Sequence, residues 1–266
     1  MKHLLKRGCQ AALCVAMAWS ASASAGISAP TRVQFSGDTR ELALKVNNPG
    51  ALPSLVQAWI DTGDADADPS EIQAPFLITP TVFRVEPGST QSMRILFVPD
   101  GFDVPQDRES RFYLNLLDIP PAQRASDERS VLDLAVHYRM PLIYRPKALL
   151  GSGRTADAVS ALQWQLRHNG SAWALHASNP SPYHVSLRQL AMERDGEDTH
   201  RPFEIGEILP YATAVFQITG GAFSPGQGSW TVRYTAADER GYDLHNSASL
   251  SLPGVSAASP IFEEAS

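Results

Sequence analysis

The sequence predicts an all-β protein built as two antiparallel sandwiches in tandem. Three observations predict it. Short runs of alternating apolar and polar residues recur along the chain, turn-forming clusters separate them, and no long stretch carries the apolar period of an amphipathic helix. In the middle, Leu150-Gly151-Ser152-Gly153-Arg154-Thr155 reads as a linker between two halves, each the size of one sandwich. The chain has 266 residues, 43% of them hydrophobic, which is ample for two cores and excludes a wholly disordered chain. A formal charge of −6 argues against a general nucleic-acid binder, which would carry a basic excess.

The first segment is set apart from the rest. Lys2, Lys6 and Arg7 precede an apolar run from Gly8 to Trp19, and the small residues Ser20 to Ala25 close it. A basic head, a short apolar middle and an Ala-x-Ala end form a secretory signal peptide cut after Ala25. The apolar run is too short to span a bilayer comfortably. Ala11-Ala12-Leu13 is a poor approach to lipidation of Cys14. Cleavage removes Cys9 and Cys14, the only two cysteines, together with three basic residues. The mature chain is therefore more acidic than the formal charge says, and core burial rather than disulfides must hold it.

The strands then follow in order. Glu41–Val46, Leu55–Ile60 and Ser92–Phe97 alternate in the first half, and Gln163–Leu166, Ala214–Ile218 and Trp230–Tyr234 in the second. Asn47-Asn48-Pro49-Gly50, Glu86-Pro87-Gly88 and Asn179-Pro180-Ser181-Pro182 supply turns. One run is unusually long: Leu132, Leu134, Val136, Tyr138, Met140, Leu142 and Tyr144 share one face at period 2. At about 3.3 Å per residue it outreaches an ordinary strand. Pro141 within it lacks an N–H, which demands a sheet edge or a bulge there. Two outcomes fit this pattern: a partner sheet covers the apolar face, or the edge is kept open for another chain to pair with.

Other chemistry finds no support. No histidines have zinc-site spacing. The Asp64, Asp66 and Asp68 series has Pro69 where a calcium loop requires Gly and Pro75 where it requires Glu. No nucleophile elbow or phosphate loop occurs, so no cofactor, metal or catalytic residue is expected.

A family pattern joins these pieces. Val104-Pro105-Gln106-Asp107-Arg108-Glu109-Ser110-Arg111-Phe112-Tyr113-Leu114-Asn115-Leu116-Leu117-Asp118-Ile119-Pro120-Pro121 resembles the signature of the periplasmic pilus-assembly chaperones, the PapD-like family. Thr31-Arg32, Gln57–Ile60, Thr79-Pro80 and Phe83–Gly88 precede it. Tyr144-Arg145-Pro146 and Asn179-Pro180-Ser181-Pro182-Tyr183 follow, so the resemblance spans most of the mature chain. It implies two immunoglobulin-like sandwiches set at an angle around a cleft, residues 26–148 and 149–266, after the signal at 1–25. It further implies a soluble periplasmic protein that binds pilus or fimbrial subunits, fills their missing strand with its own edge, and delivers them to an outer-membrane usher. The free edge would cap itself in a dimer. The other reading for such a sandwich protein is a structural adhesin or pilus subunit. This chain has neither an obvious donor extension nor a mature cysteine to support that reading.

Carried over residue by residue, the resemblance makes Leu132, Leu134 and Val136 the donor side chains, with Tyr138 and Met140 continuing their face. Arg32 matches the arginine that holds the subunit's terminal carboxylate. Pro141 stands where the family has its second anchor, a lysine, so Arg139 is expected to take over part of that task. Glu109 and Arg145 match interdomain salt-bridge positions, with Asp238 or Glu239 as the third member. The short loop after Pro121 resembles the branch associated with rod-like pili.

Overall fold

A computed structural model describes residues 26–121, 134–151, 154–168, 172–194, 200–218, 223, 225 and 229–250. Residues 1–25, expected to be the signal, and residues 122–133, with the expected donor residue Leu132, lie outside the described residues. Among the described residues the first domain has eight strands: β1 (Val33–Ser36), β2 (Glu41–Asn47), β3 (Ser54–Asp61), β4 (Phe76–Thr79), β5 (Val82–Val85), β6 (Thr90–Phe97), β7 (Ser110–Ile119) and β8 (Val136–Arg145). They form two sheets, ordered β1-β8-β7-β3-β5 and β2-β6-β4. Alternation does the packing: Val56, Leu114, Leu116, Leu142 and Phe35 from the first sheet meet Val46, Met93 and Ile95 from the second in a fully enclosed core.

The N-terminal segment ties both sheets together. Ser28 bridges Asn47 of β2, and a few residues later β1 runs parallel to the end of β8, pairing Val33 with Leu142 and Ser36 with Arg145. Gly37 closes this contact by donating its N–H to the Arg145 carbonyl at 2.7 Å. A side chain there would stand 2.7 Å from the Lys147 backbone nitrogen, so only glycine fits.

Leu149 packs in the core of the second domain, and helix α1 (Thr155–Ser160) buries Ala158 and Val159 there. Thr155 is enclosed at the domain junction rather than exposed in a spacer. Strands β9 (Gln163–His168), β10 (Trp173–Ser178), β11 (Val185–Arg194), β12 (His200–Pro202), β13 (Glu207–Ile208), β14 (Thr213–Gln217), β15 (Trp230–Ala237) and β16 (Asp243–Ser249) complete it. They lie in sheets β14-β10-β9 and β12-β11-β15-β16, with β13 beside β11. Leu175, Val185, Ile208 and Val232 are enclosed between them.

Candidate functional site: an open strand edge beside a charged cleft

Strand β8 changes surroundings along its length. From Leu142 onward it lies between β1 and β7, whereas from Val136 to Pro141 only β7 pairs with it. Pro141 marks the change. It sits opposite Tyr113 and cannot donate to it, so the reciprocal bonds to β7 belong to the even-numbered residues. The backbone groups of His137 and Arg139 therefore face the open side. A groove of about 530 Å³ runs along that side, between residues 26–31 and Tyr138 to Met140.

The side chains sort in the same way. Leu134 is 63% exposed and Val136 40%, both large and apolar. Tyr138 is partly buried against the first core, and Met140, at 5%, is part of it. Met140 therefore fills its own domain and is not offered to a partner, which corrects the expectation that it continues the donor face. Period 2 alone does not say whose core an apolar face belongs to.

Arg32, just before β1, lies on the face of the first sheet that meets the second domain. Its Nη1 donates to Ser186 Oγ across the junction at 3.4 Å. Its Nε and Nη2 are buried with no hydrogen-bond partner among the described residues. Burial pushes its pKa below the ordinary arginine value, and the charges of Glu109 and Glu207 oppose that. Two enclosed guanidinium donors without an acceptor are costly, and a carboxylate would satisfy them as a fork.

Arg139 is placed differently. Its Nε and Nη2 donate to the two oxygens of Asp61, at 3.0 and 2.7 Å, and the guanidinium lies 3.5 Å over the Tyr113 ring. Asp61 also accepts from the Gly63 backbone and from Asn115 Nδ2, each at 2.7 Å. Burial alone would raise its carboxyl, yet the hydrogen bonds from Arg139, Asn115 and Gly63 together hold it below the ordinary range. The expected free anchor at Arg139 is thus occupied from within. Sequence reasoning missed Asp61, although its outward place in β3 beside Trp59 was readable from alternation.

The domain junction is built on Glu109, which is completely enclosed. Arg145 Nε donates to its Oε1 at 2.7 Å, and the His184 backbone N–H donates to its Oε2 at 2.8 Å. Arg145 Nη2 reaches Glu239 Oε1 at 3.5 Å, and that oxygen accepts from the Thr155 N–H at 2.7 Å. Burial alone would raise the carboxyls of Glu109 and Glu239. For Glu109 the His184 bonds and the Arg145 charge outweigh it, and for Glu239 the bonds from Thr155 with the Arg145 charge do, so both lie below the ordinary value. The third acid is Glu239. Asp238 instead accepts from the backbone of Arg240 and Tyr242 and shapes the turn, which removes it from the network. A second ion pair, Arg111 with Glu207, also crosses the junction and was not anticipated. Asn179-Pro180-Ser181-Pro182-Tyr183 lies here too: Glu109 N–H donates to Pro182 O, and Arg145 lies over the Tyr183 ring.

Comparison with known proteins now becomes decisive. Residues 27–150 match the family described as "Pili and flagellar-assembly chaperone, PapD N-terminal domain", and residues 157–248 match "Pili assembly chaperone PapD, C-terminal domain". The chain belongs to the PapD-like pilus-assembly chaperones. It is 38% identical over 233 residues to the chaperone protein FimB/FhaD of Bordetella pertussis, covering 87% of this chain and 90% of that one. It is 35% identical to the probable fimbrial chaperone YadV of Escherichia coli, covering 79% of this chain and 85% of that protein. The YadV crystal structure superposes with a TM-score of 0.69 over 84% of this chain and 98% of that one, at 31% identity. The SafB chaperone of Salmonella enterica, solved in complex with the SafA pilin, gives a TM-score of 0.65 at 25% identity, over 82% of this chain and 93% of the solved one. The two-sandwich fold of the PapD-like chaperones is therefore shared by this chain.

Proposed function

We propose that this chaperone acts in the periplasm by lending the open edge of β8 to an incomplete fimbrial subunit and then passes that subunit to an outer-membrane usher. The observation that carries this reading is the exposure of Val136, at the start of a strand that pairs along one side only as far as Pro141, with Leu134 exposed just ahead of it. Entering a subunit groove, each side chain would contribute about 1.5–3 kcal/mol, less the ordering cost of association. Arg32, with two enclosed donors unpaired, holds the subunit's terminal carboxylate. The Glu109–Arg145–Glu239 network sets the angle between the domains, so that edge and anchor address one subunit together. The role is binding rather than catalysis.

Two further features fit delivery. Leu55 and Ile119, opposite each other on β3 and β7, are exposed together with Val82 of β5, on the face of the sheet turned away from the first core. That patch stays available to an usher while a subunit occupies β8. No helix among the described residues is long and apolar enough to cross a membrane. Without a subunit, the open edge pairs with a second copy, which a concentration-dependent mass measurement checks.

Co-expression with a fimbrial subunit tests the main reading. A soluble one-to-one complex is expected, and Leu134→Asp should abolish it while leaving the chaperone folded. Persistence of the complex in that variant would rule out strand donation from this edge.

A further inference from the structure

We infer that Arg139 is a positioning residue that braces the donor edge through Asp61, and that the cleft reads a subunit's carboxylate through Arg32 alone. This rests on the strand-donation reading and concerns the face of β8 turned away from the first core. Asp61, Trp59, Tyr113, Asn115, His137 and Arg139 all project there, from three adjacent strands in the order β3-β7-β8. The Arg139 side chain lies across the Tyr113 ring of β7 and ends on Asp61 of β3, which is 2% exposed. His137, two residues earlier, is tied in the same direction. Its ring stacks on Trp59 at 5.1 Å, and its Nε2 lies 2.9 Å from Asn115 Oδ1. Asn115 spends its Nδ2 on Asp61, so its Oδ1 accepts and His137 Nε2 donates.

His137 and Arg139, the odd-numbered residues of the open stretch before Pro141, are therefore fastened backwards onto the sheet. Their own backbone groups and the even-numbered Leu134 and Val136 are left for a partner. A strand held extended before its partner arrives loses less freedom on binding. For Arg139 to reach an incoming carboxylate instead, it would have to abandon a two-pronged bond to an enclosed aspartate. The aspartate would then be left enclosed without its cation, a loss that a single new pair does not recover. Arg32 has no such commitment. Its place beside Pro141 follows from the parallel register, in which Val33 is opposite Leu142.

The test uses one peptide, the C-terminal strand of a fimbrial subunit, synthesised with a free carboxylate and again as the amide. Affinities are measured by calorimetry on the full chaperone, well below its unfolding temperature. The wild type should prefer the free acid by about ten- to a hundredfold, the range for a hydrogen bond to a charged group. Arg32→Ala should erase that preference. Arg139→Gln should keep the preference at full size while weakening acid and amide equally, by about tenfold on the scale of an ordering cost. Asp61→Asn, nearly identical in shape, should do the same as Arg139→Gln and covers the case in which that variant folds poorly. Loss of the acid preference in Arg139→Gln would overturn the inference, because Arg139 would then be an anchor. Unchanged affinity for both forms in folded Arg139→Gln and Asp61→Asn would also overturn it, since the brace would then serve stability only. Failure of the wild type to bind either form would overturn strand donation itself, and this inference with it.

Discussion

The two ends of β8 carry the same alternating pattern and live in different surroundings. From Leu142 to Tyr144 the strand has neighbours on both sides, and Leu142 and Tyr144 are enclosed. From Leu134 to Val136 it has at most one neighbour, and its apolar side chains meet solvent. Composition does not distinguish the ends. Beyond the reach of β1, Met140 and Tyr138 still pack against the first core, and the even-numbered face meets solvent only from Val136 outward.

The sharpest way to break this comparison is at the paired end. Glu109→Ala removes the acceptor that Arg145 faces at the domain junction, and the enclosed charge left behind should cost about 3–5 kcal/mol, read from the urea midpoint. A loss below about 1 kcal/mol would show that this pair behaves like an exposed one. Leu142→Ala should cost about 2–5 kcal/mol by the same measurement, because the site is fully packed and leaves a cavity. Leu134→Asp, at the open end, should move the midpoint by less than about 0.5 kcal/mol while removing subunit binding. If Leu134→Asp destabilised as much as Leu142→Ala, the two ends would not differ as described.

Acid sharpens the comparison further. The carboxyls of Glu109, Glu239 and Asp61 are depressed in the folded chain. The unfolded chain then binds protons at higher pH than the folded one. Their contribution is complete above the unfolded values, about 4 for such groups, and is lost as pH falls through the lower folded values. Urea midpoints should therefore fall steeply below about pH 4. Glu109→Gln should flatten that fall. An equal slope in the variant would show that Glu109 does not contribute it.

Much of the fold was legible because alternation and turn chemistry are local. Asn47–Gly50, Pro141 and the long period-2 run each announce themselves within a few residues. Arg32, Glu109 and Arg145 were readable through the family pattern and lie where the domains meet. The Arg139–Asp61 pair was not legible, since it joins residues 78 apart and requires β7 to lie between their strands. Asp238 and Glu239 differ by one position on a turn, and only the direction of that turn selects Glu239. Met140 reads identically whether its face serves its own core or a partner's.

The parallel contact between β1 and β8 also has a consequence in time. A chain that appears N-terminus first, from a ribosome or through a narrow channel, exposes Val33 long before Leu142. The first sandwich cannot close until its last strand has arrived, and such long-range pairings form late. The open edge is thus among the final pieces of the first domain to be made, and it comes into being already seated on a nearly finished sandwich. A half-emerged chain has nothing to lend.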